Sequence, residues 1–448
     1  MIKYLQQNIA TFLGNKRNEN YFSDYVIKNS IWLFLLQGFS LAIGFLSNYV
    51  LIKAAGVNDY GSYIYIFNFL YLLIGFCTLG MDTLLVKKVS IYEASGNYRE
   101  LKGVIFFAIG VCICASLAIA IVSGKIAGIF GVIKNSGGIN WFILSFSTLL
   151  MLSIITINQA SLQGLKKITL SQVGEKIARP AIIIILVLVL GSYRKKVSLE
   201  ELIWLNITAL GITLLITSFL HQKKIGAKLK NVNPTYEFVA WTNSAIAFFL
   251  LGTLYILNSR VDVFLLGLLR GSDEVGVYNI VLKISEIISF GLVLINFVIA
   301  PIIAKLFVKS ELRQLQQLAT QSARIVLVIG LPLLLLIVFF RKSILDFFGV
   351  NFFNGQEALL ILCSGQLINI LCGSVGTLLL MSGYQRFSIY SLTISTAFSV
   401  IFNIILTPKY GIVGTAIATA ASIVMWNCLM YLFVRKKLNI RPTAFGIV

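Results

Sequence analysis

Long apolar runs separated by short polar links repeat along the whole chain. Twelve stand out, at roughly 29–52, 62–82, 103–123, 140–161, 172–191, 199–220, 239–269, 276–304, 322–340, 356–380, 387–407 and 412–434. About 20 apolar residues cross a bilayer core as a helix, and the runs meet that length. They lack the alternation of a barrel strand, and a spanning backbone must satisfy its own hydrogen bonds, so each run is expected to be a helix. The fold class is therefore an all-α polytopic membrane protein with about 12 transmembrane helices. Glu175, Lys176, Arg179 and Pro180 interrupt the fifth run. The seventh is longer than a bilayer requires and contains Arg260 and Asp262.

Composition removes the soluble classes. Of the 448 residues 58 % are apolar and 12 % charged, and the mean hydropathy is +0.89. A net charge of +20 would suggest nucleic acid in a soluble protein, but here Lys and Arg sit in the links. Counted over alternate links and termini, 25 fall on one side and 11 on the other, with Lys283 inside the eighth run. Basic residues favour the cytoplasmic side, so both termini are expected there and no nucleic-acid partner is implied. Basic runs such as Arg194-Lys195-Lys196 suit lipid headgroups. All six cysteines lie in apolar stretches, and His221 stands alone beside Lys223 and Lys224, so neither a metal site nor a disulfide framework is expected. Phosphate-loop and nucleophile-elbow motifs are missing and the links are short, so the reading is a non-enzyme without a cofactor. No signal peptide is expected, and residues 2–13 suit a helix lying on the membrane surface.

The two halves of the sequence match. Gly56, Gly61 and Tyr63 recur as Gly271, Gly276 and Tyr278 at an offset of 215. Ile126, Phe130 and Gly131 recur as Ile344, Phe348 and Gly349 at 218, and the block 162–167 aligns with 381–386 at 219. Six helices separate the copies, so both enter the membrane in the same sense and relate by an axis along its normal. This predicts lobes over 29–222 and 238–434, a cytoplasmic linker over 223–237, an N-terminal segment over 1–28 and a tail over 435–448. Duplicated lobes with a shared interface are what alternating-access transport requires.

Charges within the membrane are costly, on the order of 2.5–3.5 kcal/mol by insertion scales, and so mark candidate sites. Arg260, Asp262, Lys283 and Glu286 all fall about 10–15 Å below the link between the seventh and eighth runs at helical rise. Lys283 and Glu286 share a face, whereas Arg260 and Asp262 point apart. One ion pair, Asp262 with Lys283 or Arg260 with Glu286, would fasten the hairpin. The member left over, expected to be Arg260, would face a watery cavity between the lobes and attract an anionic headgroup. Asp82 is expected at the end of the second helix near the cytoplasm. Gln37, Asn48, Asn68 and Asn158 are candidate contacts for sugar hydroxyls or, as is common on membrane helices, hydrogen-bond partners of neighbouring helices.

The block Asp262-Val-Phe-Leu-Leu-Gly267-Leu-Leu-Arg-Gly271-Ser-Asp-Glu-Val275-Gly276-Val-Tyr278, its fainter copy over 55–63 and the closing Pro408-Lys-Tyr-Gly411-Ile-Val-Gly414-Thr-Ala416 resemble Wzx-type polysaccharide flippases for O-antigen or capsule repeat units. These belong to the multidrug/oligosaccharidyl-lipid/polysaccharide exporter superfamily. The resemblance implies a V-shaped exporter fold in the bacterial inner membrane. It further implies transfer of an undecaprenyl-diphosphate-linked oligosaccharide from the cytoplasmic to the periplasmic leaflet through a cation-lined cavity, with membrane lipids, a polysaccharide polymerase and a chain-length regulator as partners. Arg260 and Lys283 would bind the diphosphate, and Asp262, Glu286 and Asp82 would supply ion pairs or coupling. The sequence departs from this pattern in having few basic residues inside the N-terminal lobe. Related drug exporters carry an acidic residue in the first helix, and residues 29–52 contain none. A cation-coupled multidrug exporter is the alternative. A glycan polymerase or ligase would need a sizeable periplasmic loop, which the sequence lacks.

Overall fold

The computed structural model describes residues 19–129, 132, 140–193, 196–226, 229–230, 232–349 and 353–445. The expected surface helix over 2–13 lies outside them. The described chain is helical, with no strand among the described residues. The first half forms α1 (Glu19–Ala55), α2 (Val57–Thr78), α3 (Met81–Ser95), α4 (Tyr98–Ile129), α5 (Trp141–Gly164), α6 (Ile168–Val173), α7 (Arg179–Tyr193) and α8 (Leu199–His221). The second half forms α9 (Phe238–Arg270), α10 (Ser272–Glu286), α11 (Phe290–Val308), α12 (Leu312–Phe347), α13 (Phe353–Cys372), α14 (Val375–Met381) and α15 (Gln385–Leu438).

Ten of the described helices are long and apolar enough to cross a membrane. The count reaches twelve for two physical reasons. The 54 residues of α15 are two spans that meet at Gly411, whose backbone (φ 54°, ψ −132°) is not helical and which follows Pro408. The fifth run is broken into α6, a π-helical turn and α7, each too short to qualify alone. The chain is therefore a multi-pass membrane protein with the two-lobed, V-shaped exporter architecture.

The sequence repeat reappears as a repeat of backbone conformation. Gly56, between α1 and α2, has φ 88° and ψ 167°, and Gly271, between α9 and α10, has φ 96° and ψ 168°. This region is essentially restricted to glycine, because a Cβ would collide with the chain. Both glycines therefore impose the same sharp reversal on the same junction.

Those reversals bring the copies together. A Cβ on Gly61 would strike the carbonyl oxygen of Ser272, and one on Gly276 would lie 2.8 Å from the carbonyl oxygen of Val57 and 3.1 Å from the Cα of Gly61. Val57 and Ser272 are themselves equivalent positions, so the contact is reciprocal about an axis between Gly61 and Gly276. Around it, Ser62 Oγ donates to Ser272 Oγ at 2.9 Å, and Asn279 Nδ2 donates to Tyr60 Oη at 2.8 Å, which in turn donates to Asn48 Oδ1 at 2.9 Å. Tyr49 stacks on Phe347 with centroids 4.4 Å apart, extending the closure from α1 to α12. Interhelical hydrogen bonds in membranes average only about 0.6 kcal/mol, so close backbone packing supplies most of the fit.

From this end α2 and α9 run antiparallel down the molecule. Asn68 Nδ2 donates to the carbonyl of Arg260 at 3.0 Å, Gly75 faces Thr253, and Gly80 meets the backbone of Ala245 and Phe249. At the far end, which carries the C-terminal tail, Trp241 Nε1 donates to Tyr92 Oη at 3.0 Å and Tyr92 donates to Glu237 Oε2 at 2.9 Å. The Thr235 N–H donates to the carbonyl of Arg99, and Lys102 Nζ to that of Val232. The segment leading into α9 is thereby fastened to α3 and α4.

Cysteines replacing Ser62 and Ser272 are expected to crosslink under mild oxidation. Adding Gly61→Val should reduce the crosslinked fraction about tenfold, since overpacking a tight contact costs roughly 1–3 kcal/mol. Gel mobility after oxidation reads both outcomes, and undiminished crosslinking in the valine variant would refute the seam.

Candidate functional site

The interruption of the fifth run is where the chemistry gathers. Gly174–Ala178 form a π-helical turn, closed by the Arg179 N–H donating to the carbonyl of Gly174. Pro180 has no N–H, and its ring crowds the carbonyl four residues back, so a wider turn relieves the strain. Gly174 lets the turn approach α8, where a Cβ would strike the methyl of Thr217. The result buries Arg179, half-buries Glu175 and leaves Lys176 exposed beside α1.

Arg179 is 8 % exposed. Its Nη2 donates to Asn206 Oδ1 at 2.9 Å and its Nη1 donates to Tyr71 Oη, while Asn206 Nδ2 donates to Tyr63 Oη at 2.5 Å. The Nε of Arg179 is buried without a hydrogen-bond partner among the described residues. Lys176 Nζ donates to Gln37 Oε1 at 3.1 Å, and Gln37 Nε2 donates to Gln172 Oε1 at 2.7 Å.

A second guanidinium enters from the other half. Arg260 of α9 is half-buried, with its Cζ 5.0 Å from the centroid of the Tyr71 ring, while that of Arg179 is 5.6 Å away. No hydrogen bond or ion pair holds the Arg260 side chain among the described residues. It lines a cavity of about 240 Å³ together with Tyr71, Thr156, Glu175, Ile256 and Ser259. The space lies at the junction of α2, α5, the π-helical turn and α9, and so between the halves. Glu175 Oε2 accepts from Gln159 Nε2 at 3.2 Å.

Asp262 takes a different environment. It is 4 % exposed and accepts from Tyr278 Oη at 2.9 Å, Thr419 Oγ1 at 3.0 Å and the Val263 N–H at 2.8 Å. Tyr63 and Tyr278 are repeat equivalents, so the same tyrosine serves a buried cation network in one half and a buried carboxylate in the other. Desolvation makes each charge costly unless it is hydrogen-bonded, and both networks answer that need.

Several expectations need correcting. The hairpin between α9 and α10 is fastened at its tip by Arg270 Nε donating to Glu274 Oε1 at 3.0 Å, and by neither of the expected pairs; Lys283 Nζ bonds Glu286 Oε2 at 2.8 Å on its own helix, with side chains 40 % and 47 % exposed. The i,i+3 spacing lets the two meet, and Asp262 has its partners elsewhere. Asp82 does not end the second helix. The chain turns through left-handed conformations at Leu79 and Gly80, and Asp82 lies in the first turn of α3, where the helix dipole favours a carboxylate. The amides are engaged by protein: Gln37, Asn48 and Asn68 as described, and Asn158 Nδ2 with Ser218 Oγ at 3.1 Å. The Oδ1 of Asn68 is buried without a partner. Lastly, the N-terminal half does contain an interior cation. Arg179 was visible in the sequence as an interruption, but not as a site.

Comparison with known proteins bears on the family and the fold. The family model described as polysaccharide biosynthesis protein matches residues 26–307, and a model described as MatE matches residues 246–405. The probable low-salt glycan biosynthesis flippase Agl15 of Haloferax volcanii is 25 % identical over 165 residues, 37 % of this chain and 35 % of that protein. The chain spans about a third of the length of the curated relatives it matches. Among solved structures, the inward-facing conformation of a multidrug resistance MATE family transporter of the MOP superfamily has a TM-score of 0.70 at 12 % identity, covering 89 % of this chain and 94 % of the other. The lipid II flippase MurJ, in an inward closed conformation, has a TM-score of 0.65 at 15 % identity over 90 % and 87 %.

Arg179→Ala is expected to lower the thermal unfolding midpoint markedly, because it strands Asn206 and Tyr71 at roughly 1–3 kcal/mol each. Arg260→Ala, which strands no hydrogen-bond partner, should leave the midpoint close to wild type. Thermal unfolding of the purified protein in detergent distinguishes the two; equal losses would contradict the assignment of Arg260 as unpaired.

Proposed function

This chain belongs to the polysaccharide biosynthesis protein family, and from that premise we propose that it flips a lipid-linked saccharide across the membrane. The substrate is an undecaprenyl-diphosphate-linked oligosaccharide repeat unit, carried from the cytoplasmic to the periplasmic leaflet of a bacterial inner membrane for O-antigen or capsule assembly. The observation that carries this reading is Arg260, a half-buried guanidinium with no hydrogen-bond partner among the described residues, at a cavity between the halves. A guanidinium suits phosphate oxygens geometrically, and in a low-dielectric cavity its attraction for a diphosphate is strong. Arg179 and Lys176 add positive potential behind it. Lys283, partly exposed beside Glu286, is a second cation for the head, and Asp262 and Glu286 are candidates for ion coupling.

The positive-inside count supports placing the tail end in the cytoplasm, which makes the glycine seam the periplasmic gate. A closed seam on that side fits a state that opens toward the cytoplasm. Rocking of the lobes, 29–222 against 238–434 about the linker 223–237, would part Gly61 from Gly276 and release the head outward. A polysaccharide polymerase and chain-length regulator would act on the product.

One observation favours a second reading, a cation-coupled multidrug exporter: the MatE match covers the part of α9 that holds the buried Asp262. Against it, the cavity wall carries Arg260, which repels cationic drugs, and residues 29–52 contain no carboxylate.

Deletion of the gene should accumulate undecaprenyl-linked sugars with loss of surface glycan, read by mass analysis of extracted lipids. Arg260→Ala should fail to restore export although inserted and folded. Full export by that variant would overturn the headgroup role, and drug sensitivity without a glycan defect would favour the exporter.

A further inference from the structure

The cavity beside Arg260 holds a second charged group, one whose charge also acts on Arg179 and Lys176 of the same turn. Glu175 lines the same space, yet no ion pair joins it to Arg260 among the described residues. Its Oε2 accepts from Gln159, and no hydrogen bond to its Oε1 is present among the described residues. A carboxylate and a guanidinium kept apart across a small cavity define what fits between them. The guanidinium asks for acceptors, best of all anionic ones, and the carboxylate for donors. A diphosphate alone meets only the first requirement and is repelled by the second. A cationic drug meets only the second and is repelled by Arg260 and by Arg179 behind Tyr71.

A hydroxyl-bearing ring joined directly to a phosphate meets both. The remaining walls are mixed: Thr156 and Ser259 offer hydroxyl oxygens as acceptors, their protons being given to the Leu152 and Ile256 carbonyls, and Tyr71, Ile74, Leu152 and Ile256 offer apolar faces. At about 240 Å³ the space is below the roughly 300–1,000 Å³ of drug-sized ligand sites, which suits one ring rather than an oligosaccharide. The carboxylate sits on a π-helical turn, an irregularity that recurs at functional positions.

We infer that this cavity is a saccharide subsite: Arg260 at its wall binds the phosphate joined to the first sugar, and Glu175 accepts hydrogen bonds from that sugar's ring hydroxyls. The inference rests on the flippase reading and sharpens it. Glu175 is on the first half and Arg260 on the second, so a ligand bridging them also ties the halves together.

The test uses the purified full chain in detergent. Binding of two probes is followed by intrinsic tryptophan fluorescence: a polyprenyl diphosphate, and the same lipid carrying one glucose or galactose. Wild type should bind a hexose-bearing lipid at least about fivefold more tightly than the bare one. Glu175→Ala should bring that ratio to about one, and Glu175→Gln should lower it partway, because a hydrogen bond to a neutral amide is roughly half as strong as one to a carboxylate. Unfolding midpoints within a few degrees of wild type certify that the variants are folded. If wild type binds bare and hexose-bearing lipids equally, or Glu175→Ala retains the full ratio, the subsite is wrong while the flippase reading stands. If wild type binds neither lipid better than a neutral polyprenol, the flippase reading fails and takes the subsite with it.

Discussion

Inside a bilayer there is no water to satisfy a polar group, so every donor, acceptor and charge on a spanning helix needs a protein partner or a wet cavity. Most of this molecule obeys by pairing. Gln37, Asn48, Asn158, Asn206 and Asn279 bridge helices, and Asp262 accepts three hydrogen bonds. The departures from the rule therefore carry information. Arg260 and Glu175 stand on opposite halves, line one cavity and are not paired with each other. The Glu175 charge acts on Arg179 and Lys176 of its own half, which leaves Arg260 as the cation of the cavity without an ion pair among the described residues.

A second constraint is geometric. Two copies of one sequence must meet about an axis, and residues on that axis meet their own equivalents. Only a residue without a side chain lets backbones touch there, which explains why Gly61 and Gly276 coincide in the repeat and in the seam. Gly56 and Gly271 set the reversal that aims each copy at the other. The contact is small and largely backbone on backbone, with two side-chain hydrogen bonds across it among the described residues, and breaking it strands few polar groups. A gate needs that property: closed packing with a modest cost of opening. By contrast, the long antiparallel contact of α2 with α9, together with the Trp241–Tyr92–Glu237 network, suits a flank that stays joined.

Much of this was legible in the sequence. Apolar run length gave the helices, and glycine spacing gave the repeat, because both depend on local chemistry. Positions that depend on tertiary geometry were not legible. The sequence shows Asp262 and Lys283 at similar depth, but rotation about the helix axes decides contact, and it turns Asp262 toward Tyr278 and Thr419 and leaves Lys283 to Glu286. Likewise Glu175, Lys176, Arg179 and Pro180 read as a flaw in a span. A proline beside three charges within an apolar run was the available signal for a π-helical turn, and a charge too costly to tolerate without cause was the signal for Arg179. The amides illustrate the opposite lesson, since polar residues in membrane helices most often satisfy each other.

The account depends on the halves parting at the glycine seam. Asn58 and Asp273 are exposed repeat equivalents on either side of it, suited to spin labels in a background without native cysteines. Pulsed electron paramagnetic resonance in liposomes would measure their separation with and without a polyprenyl-diphosphate-linked sugar. The account predicts two populations, one with the seam closed and one longer by about a helix diameter, roughly 10 Å, with the substrate changing their ratio. A single short distance under every condition would contradict it.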